Sequence, residues 1–133
     1  MARSGGAIGA EQTVLDIVAL LGPDGATAPR HPQIAALPRP AGDGLTMLVE
    51  ASVGEYRHGD MIWLDRLGPE DFGLALNRDV LVPRTGERFA FGRLIGREGS
   101  KLQLLAPGQG SRQQVISDAP WLAVTVQLLR PLR

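Results

Sequence analysis

Polar and apolar residues alternate through much of the chain after residue 44, and this alternation predicts β-strands. Residues 46–51 alternate, while residues 61–64 form an apolar run that Asp60 and Asp65 bound. Gly59 precedes Asp60 and predicts a tight turn, because glycine accepts backbone angles that other residues avoid. The region from residue 46 to 65 is therefore predicted to be two strands joined by a segment that could present functional residues.

Further strands are predicted at short, regular intervals, with glycine-containing turns between most of them. The predicted ranges are 79–82, 88–95, 101–105, 113–116 and 121–129. Pro83 is expected to end the first of these, and the connection over residues 67–77 is expected to be mixed. Short strands of this spacing are typical of a compact, coiled β-domain. The sequence thus predicts a mainly β domain over residues 45–133.

The first third of the chain has a different texture. Residues 1–10 are small and glycine-rich, which predicts a disordered N-terminus. Residues 11–22 carry apolar side chains at helical spacing and end at Gly22-Pro23, which predicts one amphipathic N-terminal helix. Residues 23–44 contain several prolines and are predicted to be a linker, with one short edge strand around Ile34.

Length, charge and cysteine content narrow the class of protein. A chain of 133 residues is long enough for one domain with a core. Fourteen basic residues balance fourteen acidic ones, so no overall field attracts an anionic partner. The absence of cysteine excludes disulfides and thiol catalysis and fits a cytoplasmic protein. No apolar run approaches the roughly 20 residues that cross a bilayer, so we expect no membrane association.

Candidate ligand sites are sparse in the sequence. His31 and His58 are the only histidines, and neither has a second ligand at metal-binding spacing, so no metal and no cofactor is expected. His58 with Asp60 and Asp65 could form an acid–base cluster, but a polar turn before a strand explains these residues more simply.

Several motifs together resemble a known family. They are Arg57 to Asp65 (RHGDMIWLD), Gly86-Glu87 and Gly92-Arg93-Leu94, followed by a hairpin and a long last strand. In this order they resemble the C-terminal domain of LexA-like and UmuD-like proteins and phage repressors, which are self-cleaving serine–lysine peptidases. The resemblance covers Leu45 to Arg133. It implies the coiled β fold of the LexA C-terminal and signal-peptidase-like type, and a repressor-like, phage or SOS-related role in transcription regulation.

The resemblance also identifies where the family's catalytic residues would lie. The nucleophilic serine falls eight or nine residues before Gly59, which is Ala51 or Glu50 here, with Ser52 nearby. The lysine that removes the serine proton falls at Gly92, and glycine can supply no base. We therefore expect a catalytically degenerate pseudo-peptidase that does not cleave itself.

Two other functions are compatible with the sequence. The chain could be an active autopeptidase that uses Ser52 and Lys101 as an unusual dyad. It could instead be a stand-alone interaction module that binds another regulator through an exposed sheet edge.

The last predicted strand indicates self-association. Residues 121–129 are long, alternating and close to the C-terminus, and natural proteins usually cover such a strand when it lies at a sheet edge. Pairing with an identical chain would cover it. We therefore expect a homodimer with these residues at or beneath the interface: Trp121, Val124, Val126 and Leu128.

DNA is the least favoured partner for this chain alone. Net charge is zero, and the arginines of the 84–97 hairpin are interspersed with Glu87, which indicates a solvated face rather than a basic stripe. Contact with DNA is expected only through a region that is not in this chain.

Overall fold

A computed structural model describes residues 13–37, 44–108, 110 and 112–132. These residues form eleven β-strands and one short 3₁₀ helix, which confirms the mainly β class. The chain divides into two compact units, residues 1–39 and 40–133. The predicted disordered segment, residues 1–10, lies outside the described residues.

The N-terminal unit contains two small antiparallel sheets. Strand β1 (Thr13–Asp16) pairs with β4 (Ile34–Leu37), and β2 (Leu20–Gly22) pairs with β3 (Gly25–Thr27). The short strand predicted around Ile34 is confirmed. The linker predicted over residues 23–44 is wrong at residues 25–27. These residues form strand β3 after the turn at residues 23–24.

The N-terminal helix predicted over residues 11–22 is also wrong, because β1 and β2 occupy much of this range. Apolar residues here are spaced closely enough to fit either periodicity. Val14, Ile17 and Val18 are β-branched, and such side chains favour strands over helices. A lone helix of about three turns is marginal in water, so strand pairing can prevail over it.

The C-terminal unit is one seven-stranded antiparallel sheet. All seven strands predicted from residue 45 onward are confirmed, with small differences at their ends. They are β5 (Leu45–Leu48), β6 (Met61–Leu67), β7 (Asp79–Arg84), β8 (Arg88–Glu98), β9 (Lys101–Leu105), β10 (Gln113–Ser117) and β11 (Leu122–Leu129). Their order across the sheet is β10-β9-β8-β7-β11-β6-β5. Pro83 does not end β7 as expected, because the strand continues to Arg84 and pairs there with Arg88.

Both faces of this sheet carry a core, since alternate residues of each strand point to opposite faces. On one face, the 3₁₀ helix Pro69–Ala75 contributes Phe72 and Ala75 to a cluster with these strand residues: Val80, Val82, Leu94, Leu102, Leu104, Leu122 and Val124. On the other face, Val49 and Tyr56 pack with Ile62, Leu64 and Ala123. Each fully buried aliphatic side chain contributes about 1.5–3 kcal/mol to stability.

The last strand is an interior strand over its first half. β11 pairs with β6 from Leu122 to Leu129, but it pairs with β7 only at Ala123 and Val124. The expectation that β11 lies at a sheet edge is therefore wrong for this first half. A β-bulge between Thr125 and Gln127 follows. Beyond it, residues 126–129 have no strand partner on the β7 side within the described part of the chain.

Candidate functional site

Residues 49–60, called here the 49–60 loop, connect β5 to β6 and pack over one face of the sheet. The ends of the loop are tied together, because the Val49 amide donates to the Asp60 carbonyl at 2.8 Å and the Gly59 amide donates to the Val49 carbonyl at 2.8 Å. Within the loop, Val53 and Tyr56 exchange two backbone hydrogen bonds of 2.9 and 3.0 Å. The segment that the sequence identified as a possible presenter of function is thus a closed, hydrogen-bonded loop.

Asp60 connects this loop to the end of β11. Its carboxylate is fully buried and accepts from Arg130 Nε at 2.8 Å and from Arg130 Nη2 at 2.7 Å. The Arg57 amide donates to the same carboxylate at 2.8 Å. The hydrogen bond from Arg130 is the main reason that the pKa of Asp60 falls to about 2. Asp60 therefore stays ionised at neutral pH and holds the loop to the last strand.

Tyr56 makes the second connection between the loop and the sheet. Its hydroxyl donates a hydrogen bond to Asp79 Oδ2 at the start of β7, and its ring meets Phe91 edge-on at 5.4 Å between centroids. Burial, with further contributions from Asp79, raises the pKa of Tyr56 above its ordinary value of 10.0. Neither Tyr56 nor Asp79 stood out in the sequence, because their partners lie far away in the chain.

The residues at the family's serine position lie near the start of the 49–60 loop. The Ser52 hydroxyl accepts from the His58 amide at 2.9 Å, and His58 Nδ1 lies 2.6 Å from the Glu50 carbonyl oxygen. Ser52, Ala51 and Glu50 are all exposed. The hydrogen bond of the Ser52 hydroxyl is therefore to backbone, and it stabilises the turn that leads into Gly59.

Lys101, the base in the alternative dyad, lies in a different part of the sheet. It begins β9 and pairs with Glu98 of β8 and Ser117 of β10. The 49–60 loop instead approaches the segment that follows β9, where an ideal Cβ on Gly54 would lie 3.1 Å from both the Gly108 nitrogen and the Pro107 side chain. Leu105 lies four positions after Lys101 along β9, which is about 13 Å at 3.3 Å per residue. The structure does not bring Lys101 and Ser52 together.

Gly92, at the family's lysine position, has no room for a side chain. An ideal Cβ built on Gly92 would lie 2.5 Å from the Leu105 carbonyl oxygen and 2.8 Å from the carbonyl carbon. Both obstructing atoms belong to the backbone of the neighbouring strand β9, so they cannot swing aside. A glycine inside a strand is a sequence signal of such close backbone approach.

An open groove lies beside the second half of β11, which has no strand partner on the β7 side in the described structure. It encloses about 600 Å³, and its walls are residues 125–128 of β11 on one side and residues 55–57 of the loop on the other, with Ile62 and Arg130 completing the lining. Arg78 Nη2 donates to the Thr125 carbonyl at 2.6 Å, and the Thr125 hydroxyl donates to the Asp79 carbonyl at 3.1 Å. These bonds mark where β7 leaves β11 and the groove begins.

The four predicted interface residues fall into two groups. Val124 is buried in the core of the chain, and Trp121 is half-buried beside Arg66. Val126 and Leu128 are 41% and 42% exposed and line the groove. Only the second pair presents substantial apolar surface to a partner.

The part of the chain that the structure describes holds neither a metal-binding cluster nor a membrane-crossing helix. Within ranges 13–37, 44–108 and 112–132, no group of three or more histidine, aspartate or glutamate side chains is placed to hold a metal ion. In the same residues, no helix has both the length and the apolar character needed to cross a membrane. No protein-family model, curated protein or solved structure matches this chain.

Proposed function

We propose that this chain is a non-catalytic interaction domain that holds two identical subunits together through the open edge of β11. One observation carries the proposal: residues 126–129 lack a strand partner on the β7 side in the described structure, although the same strand pairs with β6 from Leu122 to Leu129 on either side of the bulge at Val126. Unpaired strand edges are templates for pairing with another chain. A partner strand in the groove would complete the sheet.

A second copy of the same strand is the simplest occupant of this edge. Two β11 strands related by a two-fold axis run antiparallel, so the same patch serves both subunits and the contact closes. Val126 and Leu128 lie along this edge with about two-fifths of their surface exposed. Pairing would bury apolar side chains and satisfy backbone groups at the same time, which favours association.

Two features support a non-catalytic role, and the first is Gly92, which stands at the lysine position of the LexA-like family. The backbone of Leu105 fills the space that a side chain on Gly92 would need. The Ser52 hydroxyl, the nearest serine to the family's nucleophile position, is engaged by the His58 amide. A peptidase reaction of the serine–lysine type needs the hydroxyl and the base in contact.

The wider role that we propose is that of a dimerising domain in a repressor-like regulator. It is supported by the order of the motifs from Arg57 to Leu94 that resemble LexA-like domains, and by the mainly β fold over the same range. DNA recognition would then use a region that is not in this chain.

Sedimentation equilibrium of the chain between about 1 and 100 μM tests the dimer directly. We expect a mass near twice the chain mass of 14.2 kDa at the upper concentrations. The substitution Val126→Lys places like charges on both sides of the two-fold contact, so it should shift the protein toward the monomer.

Val115→Lys is the matched control for this experiment. Val115 is also an exposed valine in a strand, at 55% exposure, but it lies in β10 at the far side of the sheet. It should leave the mass unchanged. A wild-type monomer over the whole range, or equal effects of the two substitutions, would refute the β11 dimer. A monomer would leave an interaction with a different protein as the alternative.

A further inference from the structure

A pocket of about 310 Å³ lies between the 49–60 loop and the segment that follows β9. Its floor is a row of residues on three neighbouring strands, because Arg93 of β8 is directly opposite both Asp79 of β7 and Leu105 of β9. Directly opposed residues project from the same face of a sheet. The floor therefore carries a carboxylate, a guanidinium and an aliphatic side chain, in that order across the sheet.

Two backbone segments form the walls of this pocket. Residues 54–56 of the loop line one side, and residues 106–108 line the other. The walls meet at Gly54, where an ideal Cβ would lie 3.1 Å from both the Gly108 nitrogen and the Pro107 side chain. The pocket is thus closed at this end by backbone that a larger residue at position 54 would push apart.

The opposite charges on the floor do not satisfy each other. Asp79 Oδ2 accepts a hydrogen bond from the buried Tyr56 hydroxyl, while Asp79 Oδ1 has no hydrogen-bond partner within the described part of the chain. The Arg93 side chain is exposed, and its guanidinium forms neither a hydrogen bond nor an ion pair with any described residue. Opposite charges directly across two strands ordinarily attract each other. Here they line one pocket without contact, so a single ligand can contact both.

The electrostatics of Tyr56 place both signs of charge around its hydroxyl. Burial and Asp79 raise the pKa of Tyr56. The Glu55 carboxylate adds to this rise, and the Arg93 guanidinium opposes it. Such interactions weaken with distance, so these charged groups lie near the same hydroxyl. Glu55 also lines the pocket.

We propose that this pocket binds a free α-amino acid with an aliphatic side chain. Such a molecule carries an ammonium, a carboxylate and an apolar group on one carbon. The floor offers a partner for each of them: Asp79 for the ammonium, Arg93 for the carboxylate and Leu105 for the side chain. A guanidinium can donate two parallel hydrogen bonds to a carboxylate, which makes arginine well suited to this recognition. Pro107 adds further apolar surface to the lining.

Ligands with only one sign of charge fit the pocket less well. A phosphate ester or a dicarboxylate would bring negative charge against Asp79 and Glu55, and a polyamine would bring positive charge against Arg93. The C-terminus of a peptide supplies a carboxylate but no ammonium, because its α-nitrogen is part of an amide. A zwitterion matches both signs of charge.

Titration of L-leucine into the ¹⁵N-labelled full chain, followed by ¹H–¹⁵N spectra, tests this proposal. We expect saturable shifts with a Kd on the order of 100 μM, which is reasonable for a ligand of this size. Two analogues each lack one charge: 4-methylpentanoate has no ammonium, and 3-methylbutylamine has no carboxylate. Each should bind about tenfold more weakly than L-leucine or worse, since each loses a charge-assisted hydrogen bond.

Arg93→Gln tests the assigned carboxylate contact. The variant should bind L-leucine about tenfold more weakly, with an affinity close to that of 3-methylbutylamine. Its preference for L-leucine over 4-methylpentanoate should persist, because Asp79 is unchanged. A general loss of structure would weaken all three ligands together, so this pattern separates a lost contact from a damaged fold.

Arg88→Gln is the matched control for Arg93→Gln. Arg88 is another exposed arginine of β8, but it projects from the opposite face of the sheet, which it shares with Val82 and Ala90. The control removes the same charge from the same strand and should leave the affinity for all three ligands unchanged. The result does not depend on the proposed dimer, because neither Asp79 nor Arg93 lines the β11 groove.

Three results would overturn the proposal. The first is the absence of saturable shifts up to about 20 mM L-leucine. The second is equal affinity of the wild type for L-leucine and either analogue, which would show that the pocket does not recognise both charges. The third is an equal loss of affinity in Arg93→Gln and Arg88→Gln, which would indicate general charge attraction.

Discussion

Asp60 and Arg130, seventy positions apart in the sequence, form a two-point ion pair that fastens the 49–60 loop to the end of β11. The carboxylate is fully buried while the Arg130 side chain is about one-third exposed, so the arginine covers the acid. The same arginine donates to the Glu55 carbonyl at 3.2 Å. One side chain therefore contacts both the middle and the end of the loop, beside the groove that the proposed dimer would use.

Protonation of Asp60 should weaken the fold in acid. The pKa of Asp60 is about 2 in the folded chain and near 3.8 when unfolded, so the folded state favours the ionised carboxylate. The stability from this pair is complete above about pH 4 and is lost as the pH falls through 2. Denaturant titrations between pH 6 and 2 should show a steeper loss of stability in wild type than in Asp60→Asn.

Arg57→Gln is a useful comparison for the Asp60 experiment. Arg57 contacts Asp60 through its backbone amide, which the substitution retains. We expect this variant to keep most of the pH dependence of wild type. If Asp60→Asn and wild type lose stability in parallel, the ion pair does not contribute to acid unfolding.

The single tyrosine of the chain gives a direct test of the loop contact. Burial and the hydrogen bond to Asp79 raise the pKa of Tyr56, so its ionisation, followed by absorbance near 295 nm, should begin above the ordinary value of 10.0. Because the folded pKa is raised, the stability from this contact is complete below pH 10 and is lost as the pH rises further. Asp79→Asn should lower the pKa of Tyr56 relative to wild type, and an ordinary pKa in the folded wild-type chain would contradict the contact.

The two glycines within β8 should respond differently to alanine. Gly92→Ala places a methyl group against the Leu105 backbone at 2.5 Å, so we expect a loss of about 1–3 kcal/mol or more. At Gly96 the obstructing atom is Gln103 Oε1 at 2.7 Å, the end of a flexible side chain that can move away. In urea unfolding, the free energy of unfolding of Gly92→Ala should therefore be well below that of Gly96→Ala. Equal stabilities would mean that β8 and β9 do not approach closely at Gly92.

The chain should remain intact under conditions that favour self-cleavage. Alkaline pH deprotonates a lysine base, so prolonged incubation near pH 10 would expose any serine–lysine activity. We expect one unchanged mass by intact-protein mass spectrometry for both wild type and Ser52→Ala. Two discrete fragments in wild type that disappear in Ser52→Ala would establish an active dyad.

The strands of the C-terminal unit could be predicted because their signals are local. Alternation at Thr46 to Leu48 and the turn at Gly59 act within a few residues, and the sheet needs nothing distant to select those strands. The N-terminal helix prediction failed where Val14 to Val18 fit two periodicities at once. In that segment pairing between β1 and β4 prevailed over helical spacing.

The site could be predicted only in part, since its contacts join distant segments. Asp60 looked like the end of a turn, and nothing near it in sequence indicates Arg130 as its partner. The position of β11 between β6 and β7 could not be predicted from the sequence either. Alternation of polar and apolar residues indicates a strand with two different faces, but it does not indicate which strands flank it. The family resemblance indicated that Gly92 stands where a catalytic lysine would lie. The close approach of the Leu105 backbone to Gly92 could be found only in the three-dimensional structure.

The placement of the last strand between β6 and β7 has a consequence for the order of events during synthesis. β6 and β7 follow one another in the chain but do not pair, and β11 is the strand that bonds to both. As the polypeptide leaves the ribosome, β5 and β6 can pair as a two-stranded unit, and β7 to β10 can form a four-stranded meander. The two units remain unjoined until residues 122–129 emerge. Such pairing between distant segments slows folding and leaves strand edges unprotected in the meantime. A nascent chain stalled before residue 122 should therefore be sensitive to proteases and chaperone-dependent.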